Sequence, residues 1–148
     1  MKILIAEDNK QSATTIMFVL QAAGYDVILA QNGNEAWQNL QHESAPKLVI
    51  LDWMIPGMSG IDVLWKLRGK ETNENTRTCV IMLTVKSNQE DKQTAREAGV
   101  DYYLTKSYLK SDLIKLIKLA EKILSKGQPL ENDSRAIEFE TKIQSNTS

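Results

Sequence analysis

The stretch "KLVILDWMIPGMSG", Lys47 to Gly60, decides the fold. Leu48, Val49, Ile50 and Leu51 form an apolar run without polar alternation, the pattern of a strand covered on both faces. Asp52 follows at once. A carboxylate at the end of such a strand stands where water is scarce and desolvation is costly. Its purpose depends on what the rest of the chain gathers around it.

Four more short apolar runs share that character, at Lys2–Ala6, Asp26–Ala30, Cys79–Leu83 and Asp101–Thr105. Segments of helical period separate them. Ser12, Ile16, Val19, Leu20 and Ala23 make one stripe that Gly24 ends. Asn34–Gln41 follows the Asn32-Gly33 turn. Ser59 and Asp62 make a capping-type pair ahead of a helix whose apolar side is Ile61, Leu64 and Trp65. Ser87-Asn88-Gln89-Glu90 reads as a capping box for a fourth helix that stops at Gly99. Asp112–Lys126 carries Leu113, Leu116, Ile117, Ala120, Ile123 and Leu124 on one face. Five such repeats imply an α/β, doubly wound parallel sheet with right-handed crossovers and helices on both faces.

In an open sheet of this kind, ligands bind beyond the carboxyl ends of the strands. The residues there are Glu7 and Asp8, Asp52, Thr84 and Lys106. Each alone has a bland explanation: Glu7-Asp8-Asn9 as a helix cap, Lys106 as a solvated lysine. Together, at four strand ends, they form a set. Three clustered carboxylates repel one another unless a cation intervenes. An all-oxygen ligand set without His or Cys favours a hard ion, and Mg²⁺ suits a site with few protein ligands. With that ion in place, Asp52 stays an ionised nucleophile, Lys106 neutralises an incoming phosphoryl group, and Thr84 hydrogen-bonds it.

Composition removes other classes. The 148 residues are 42% hydrophobic and 25% charged, with a net charge of −1. That balance leaves no electrostatic footprint for nucleic acid or an anionic membrane. No apolar run is long enough to span a bilayer. "MKILIAED" turns acidic too early for a signal peptide, so a cytoplasmic location is expected. Cys79, the only cysteine, reads as a small core residue, and His42, the only histidine, as part of a solvated helix end.

The chain resembles the receiver domains of two-component response regulators over residues 1–126. The resemblance lies in "ILIAEDN", "VILDWMIPGMSGIDVL", "VIMLT" ending at Thr84, and "AGVDYYLTK" ending at Lys106, in that order and spacing. It implies a flavodoxin-like sheet of order 2-1-3-4-5. It implies Asp52 as phosphoacceptor and Mg²⁺ held by Asp8, Asp52 and the backbone carbonyl of Met54, with Glu7 acting through water. Lys106 would pair with the phosphoryl group, Thr84 would swing toward it, and Tyr103 would move inward as a rotameric switch. The partner implied is a sensor histidine kinase or a histidine phosphotransfer protein. A homodimer through the fourth helix, fifth strand and fifth helix is the family's usual surface. Such a chain is not an enzyme beyond slow self-dephosphorylation.

Several residues depart from the family. Ser107 replaces the proline that usually follows the lysine through a cis bond, so the peptide here is either trans or strained. Val85 stands where a small residue is usual and is expected to narrow the approach to Asp52. Lys86, one residue on, either leans over the site or is solvated, and the solvated reading is preferred. The fourth helix has only Ala95 and Ala98 as apolar anchors, which places it among the elements that move. Phe18 falls opposite the first helix's core stripe; single exposed apolar residues are normal, and that is the preferred reading, the alternative being a docking spot for the histidine-bearing partner near Asp52.

After Lys126 the chain turns polar as "GQPLENDSRAIEFETKIQSNTS", which reads as a disordered tail, a docking helix or a linker stub over 127–148, with Ala136, Phe139 and Ile143 spaced so that they could form a short helical stripe. Rival functions fit less well. A flavin mononucleotide protein of this fold needs a Ser/Thr/Gly-rich loop where Glu7-Asp8 stands, and an aspartate-dependent phosphohydrolase needs a second acid where Met54 stands. A receiver that signals by binding, without phosphorylation, is the alternative within the family.

Overall fold

Parallel pairing organises the computed structural model, which describes residues 1–72, 77–108 and 110–125. The elements run β1 (Lys2–Ala6), α1 (Lys10–Ala22), β2 (Asp26–Ala30), α2 (Gly33–Leu40), β3 (Leu48–Leu51), α3 (Gly60–Lys70), β4 (Cys79–Thr84), α4 (Gln89–Ala98), β5 (Tyr102–Thr105) and α5 (Lys110–Ser125). The five strands form one sheet in the order β2-β1-β3-β4-β5, the order that the family resemblance implied. Every pair is parallel, with Ala6 opposite Leu51 and Leu51 opposite Met82. That register ends β1 and β3 level, while β4 and β5 run on to Thr84 and Thr105, so the residues at these strand ends share one edge.

Strand alternation divides the core. Leu4, Ala6, Val49, Leu51, Val80, Met82 and Tyr103 pack under α2, α3 and α4. Ile3, Ile5, Leu48, Ile50, Ile81, Tyr102 and Leu104 pack under α1 and α5. Tyr102 and Tyr103 thus point to opposite faces, as alternation requires.

Local chemistry sets the helix starts. Asn9, Asn32, Ser59 and Asn88 each accept a backbone N–H three residues on through a side-chain oxygen. At α4 this corrects the sequence reading, because Asn88 rather than Ser87 is the cap and receives the Asp91 N–H. Trp65 is a second correction: it is 54% exposed, and Val63 and Leu67 line α3's buried side with Ile61 and Leu64. A third concerns Asp101, which precedes β5 instead of starting it and is fully buried. α5 begins at Lys110, earlier than Asp112, and is described to Ser125. α4 does rest on Ala95 and Ala98, together with the buried Lys92. The tail reading at 127–148 lies outside the described residues.

Candidate phosphoryl-acceptor site

The site is built at the carboxyl edge of the sheet, where β1 and β3 end level beside the longer β4. β3 delivers Asp52, whose N–H donates to the Ala6 carbonyl of β1 at 3.0 Å. The chain then turns tightly enough that Gly60 lies against it. A Cβ at Gly60 would collide with the Asp52 carbonyl oxygen and sit 2.8 Å from Trp53 Cα, so only glycine lets α3 start this close to the acid. The loop's own N–H at Met54 donates to Asp52 Oδ1 at 3.1 Å and orients the carboxylate.

Lys106 closes the other side. Its N–H donates to the Thr84 carbonyl at 2.8 Å, extending the β4–β5 ladder by one step. Its Nζ then reaches Asp52 Oδ2 at 2.9 Å and Glu7 Oε2 at 2.7 Å. Glu7 and Asp52 are both buried, and Asp8 is exposed. Oxygens of Glu7, Asp8 and Asp52 all lie within 4.8 Å of one another. Burial pushes the Glu7 carboxyl up against the pull of Lys106, and the Asp52 charge adds to the rise. For Lys106 burial acts downward, but the hydrogen bonds and charges of Glu7 and Asp52 outweigh it and raise the ammonium above its ordinary value.

Glu7 has further partners that the sequence did not announce. Oε1 accepts the Asn9 N–H at 3.0 Å, and Oε2 accepts the Ser12 hydroxyl at 3.4 Å. The helical period puts Ser12 on α1's core stripe, but its hydroxyl instead serves this carboxylate.

Among the described residues no peptide bond is cis, so Lys106–Ser107 is trans. The Ser107 and Thr105 hydroxyls share a hydrogen bond of 3.0 Å across Lys106. With two carboxylates on its ammonium, Lys106 is held without the proline.

Thr84 is fully buried at the end of β4, and its Oγ1 accepts the Lys86 N–H at 3.4 Å. Tyr103 is also fully buried, and its hydroxyl donates to the Lys86 carbonyl at 2.7 Å. The ring expected to move inward is therefore already inward. Lys86 corrects the sequence reading as well: its ammonium lies 5.0 Å from the centre of the Trp53 ring and 3.8 Å from Asp91 Oδ2, so it is not a freely solvated group.

Val85 is 65% exposed on the rim. It borders a groove of about 480 Å³ whose other walls include Ser12 and Thr15 of α1 and Lys106 and Tyr108 of the β5–α5 turn. Phe18, 71% exposed, lies one helical turn beyond Thr15 on α1.

This arrangement presents an oriented carboxylate, an adjacent ammonium and further carboxylate oxygens on one sheet edge. The family model described as the response regulator receiver domain matches residues 3–118. The receiver domain of the Francisella response regulator 1452 is 31% identical, with a TM-score of 0.73 over 82% of this chain and 96% of that one. A CheY-like receiver domain protein from Methanospirillum hungatei is 25% identical, with a TM-score of 0.75 over 86% and 98%. The BeF3-activated N-terminal receiver domain of Klebsiella pneumoniae RstA is 27% identical, with a TM-score of 0.72 over 80% and 97%.

Proposed function

The chain belongs to the response regulator receiver family, and from that premise we propose that Asp52 accepts a phosphoryl group from a phosphohistidine on a partner protein. The observation that carries this is the placement of Lys106 Nζ on Asp52 Oδ2, with Glu7 and Asp8 oxygens beside them. A structural ion pair alone would not need the third carboxylate, exposed on the same edge.

The Asp52 carboxylate is the nucleophile. One oxygen forms a bond to phosphorus as the phosphorus–nitrogen bond breaks, and the electron pair leaves with the imidazole, which takes up a proton. The product is an aspartyl phosphate. The Met54 N–H on Oδ1 keeps the carboxylate in one orientation before attack. The Lys106 ammonium, already beside Oδ2, follows the charge onto the phosphoryl oxygens. Thr84, at the end of the neighbouring strand, supplies a hydroxyl to one of those oxygens.

The all-oxygen set fits Mg²⁺. Asp8, Asp52 and the Met54 carbonyl would hold it, and Glu7 would act through water, because its oxygens already accept protein donors. When bound, the ion neutralises charge on the carboxylates and on the entering phosphoryl group. The partner is a sensor histidine kinase or a histidine phosphotransfer protein. The phosphorylated form signals through α4, β5 and α5, the surface through which it would also dimerise. The chain stores the phosphoryl group and does not turn over a substrate. Cytoplasmic signalling is the proposed setting; no described helix is long and apolar enough to cross a membrane.

Intact mass after incubation with acetyl phosphate and Mg²⁺ tests the reading. Wild type gains one phosphoryl group and Asp52→Asn gains none. Equal gain in both rejects Asp52 as the acceptor.

A further inference from the structure

Lys86 makes four contacts with groups on four segments of the fold. Its N–H donates to Thr84 Oγ1 and its carbonyl accepts the Tyr103 hydroxyl, at 3.4 and 2.7 Å. Its ammonium stands 5.0 Å from the centre of the Trp53 ring, and Trp53 is the residue directly after Asp52. The same ammonium is 3.8 Å from Asp91 Oδ2 in the first turn of α4. A half-buried lysine with its charge over an aromatic face gains a quadrupole attraction that a solvated one lacks. Asp91 lies where a carboxylate also complements the helix dipole, so it is fixed on α4 by two effects.

The consequence concerns how α4 is tied to the acceptor loop. α4 has two alanines as its buried apolar anchors, which leaves little packing to hold its first turn. Trp53 follows Asp52 on the β3–α3 loop, and Asp91 belongs to α4. The Lys86 ammonium touches both. We propose that Lys86 is a positioning residue that clamps the β4–α4 loop between Trp53 and Asp91, and that a change at Asp52 reaches α4 through this charge. The second half rests on the phosphoacceptor reading; the first half does not.

Two variants separate charge from bulk. Lys86→Met keeps the alkyl stem and loses the cation, whereas Lys86→Arg keeps a cation that can stack on Trp53 and pair with Asp91. In the resting chain, amides of the first turn of α4 exchange about two- to fivefold faster in Lys86→Met than in wild type, and Lys86→Arg restores the wild-type rates. A role confined to packing of the stem would leave Lys86→Met unchanged, and that result overturns the clamp. After acetyl phosphate and Mg²⁺, with uptake read by mass in the same samples, exchange in α4 shifts in wild type and Lys86→Arg but not in phosphorylated Lys86→Met. An equal shift in all three overturns the coupling. No uptake by wild type overturns the phosphoacceptor reading and with it the coupling, while the resting comparison still decides the clamp.

Discussion

Lys106 Nζ donates to Asp52 Oδ2 across 2.9 Å, joining residues 54 positions apart, and also reaches Glu7 Oε2 at 2.7 Å. One ammonium therefore balances two buried carboxylates. Lys106→Met leaves those carboxylates facing each other without a counter-charge. In metal-free protein this lowers unfolding free energy by about 2–3 kcal/mol, below the upper range for buried pairs because Lys106 keeps some solvent contact. Excess Mg²⁺ shrinks the deficit by supplying the missing positive charge. Urea melts with and without Mg²⁺ check this, and equal deficits in both conditions would contradict it.

The same pair sets a pH dependence. Lys106 gains partners on folding, and its folded pKa lies above the ordinary 10.5. Its contribution is thus fully present below 10.5 and is lost as pH rises through the folded value. The stability gap between metal-free wild type and Lys106→Met should stay level at neutral and mildly alkaline pH, then close above 10.5. A gap that closes before that point would contradict the assignment.

Asp101 anchors the opposite end of the sheet. Arg68 donates to its Oδ2 at 2.7 Å, the Val80 N–H donates to the same oxygen at 2.8 Å, and Arg77 pairs with Oδ1 at 2.8 Å. Asp101→Asn removes a buried charge that two guanidiniums face. It should cost about 3 kcal/mol by chemical denaturation, while aspartyl-phosphate formation by the folded variant stays at the wild-type level. Lost phosphorylation in a folded variant would show that the two ends of the sheet are not independent.

These examples mark what could be read from the chain. Glu7, Asp8, Asp52, Thr84 and Lys106 were legible because parallel strands buried on both faces appear as short apolar runs, and whatever follows each run must sit on one edge. Asp101 was not, since its partner Arg68 lies 33 residues away and nothing local pairs them. Trp65 misled because it lies at the margin of α3's stripe, where one position separates core from solvent. Lys86 looked solvated for a related reason: its aromatic partner Trp53 lies on a different loop, and a sequence carries no cue for such a contact. Asn88 displaced Ser87 because either residue can cap a helix, and the choice falls to the loop's path.

Val85 stands on the rim of the groove beside Lys106. Substitution by alanine tests whether its two methyl groups narrow the approach to Asp52 for small donors and for water. Val85→Ala should speed loading from acetyl phosphate by about threefold, roughly 0.6 kcal/mol of barrier, and shorten the phosphoryl lifetime by a similar factor. Time-resolved intact mass reads both rates. An unchanged lifetime would remove Val85 from any role in access.

The most direct test of the account is to locate the phosphoryl group on the chain. Borohydride reduces an aspartyl phosphate to homoserine, which peptide sequencing identifies by position. After treatment with acetyl phosphate and Mg²⁺ followed by borohydride, the account predicts homoserine at position 52 and at no other carboxylate. Homoserine at position 7 or 8 with Asp52 intact, or its absence from a sample whose mass shows the phosphoryl group, would contradict it.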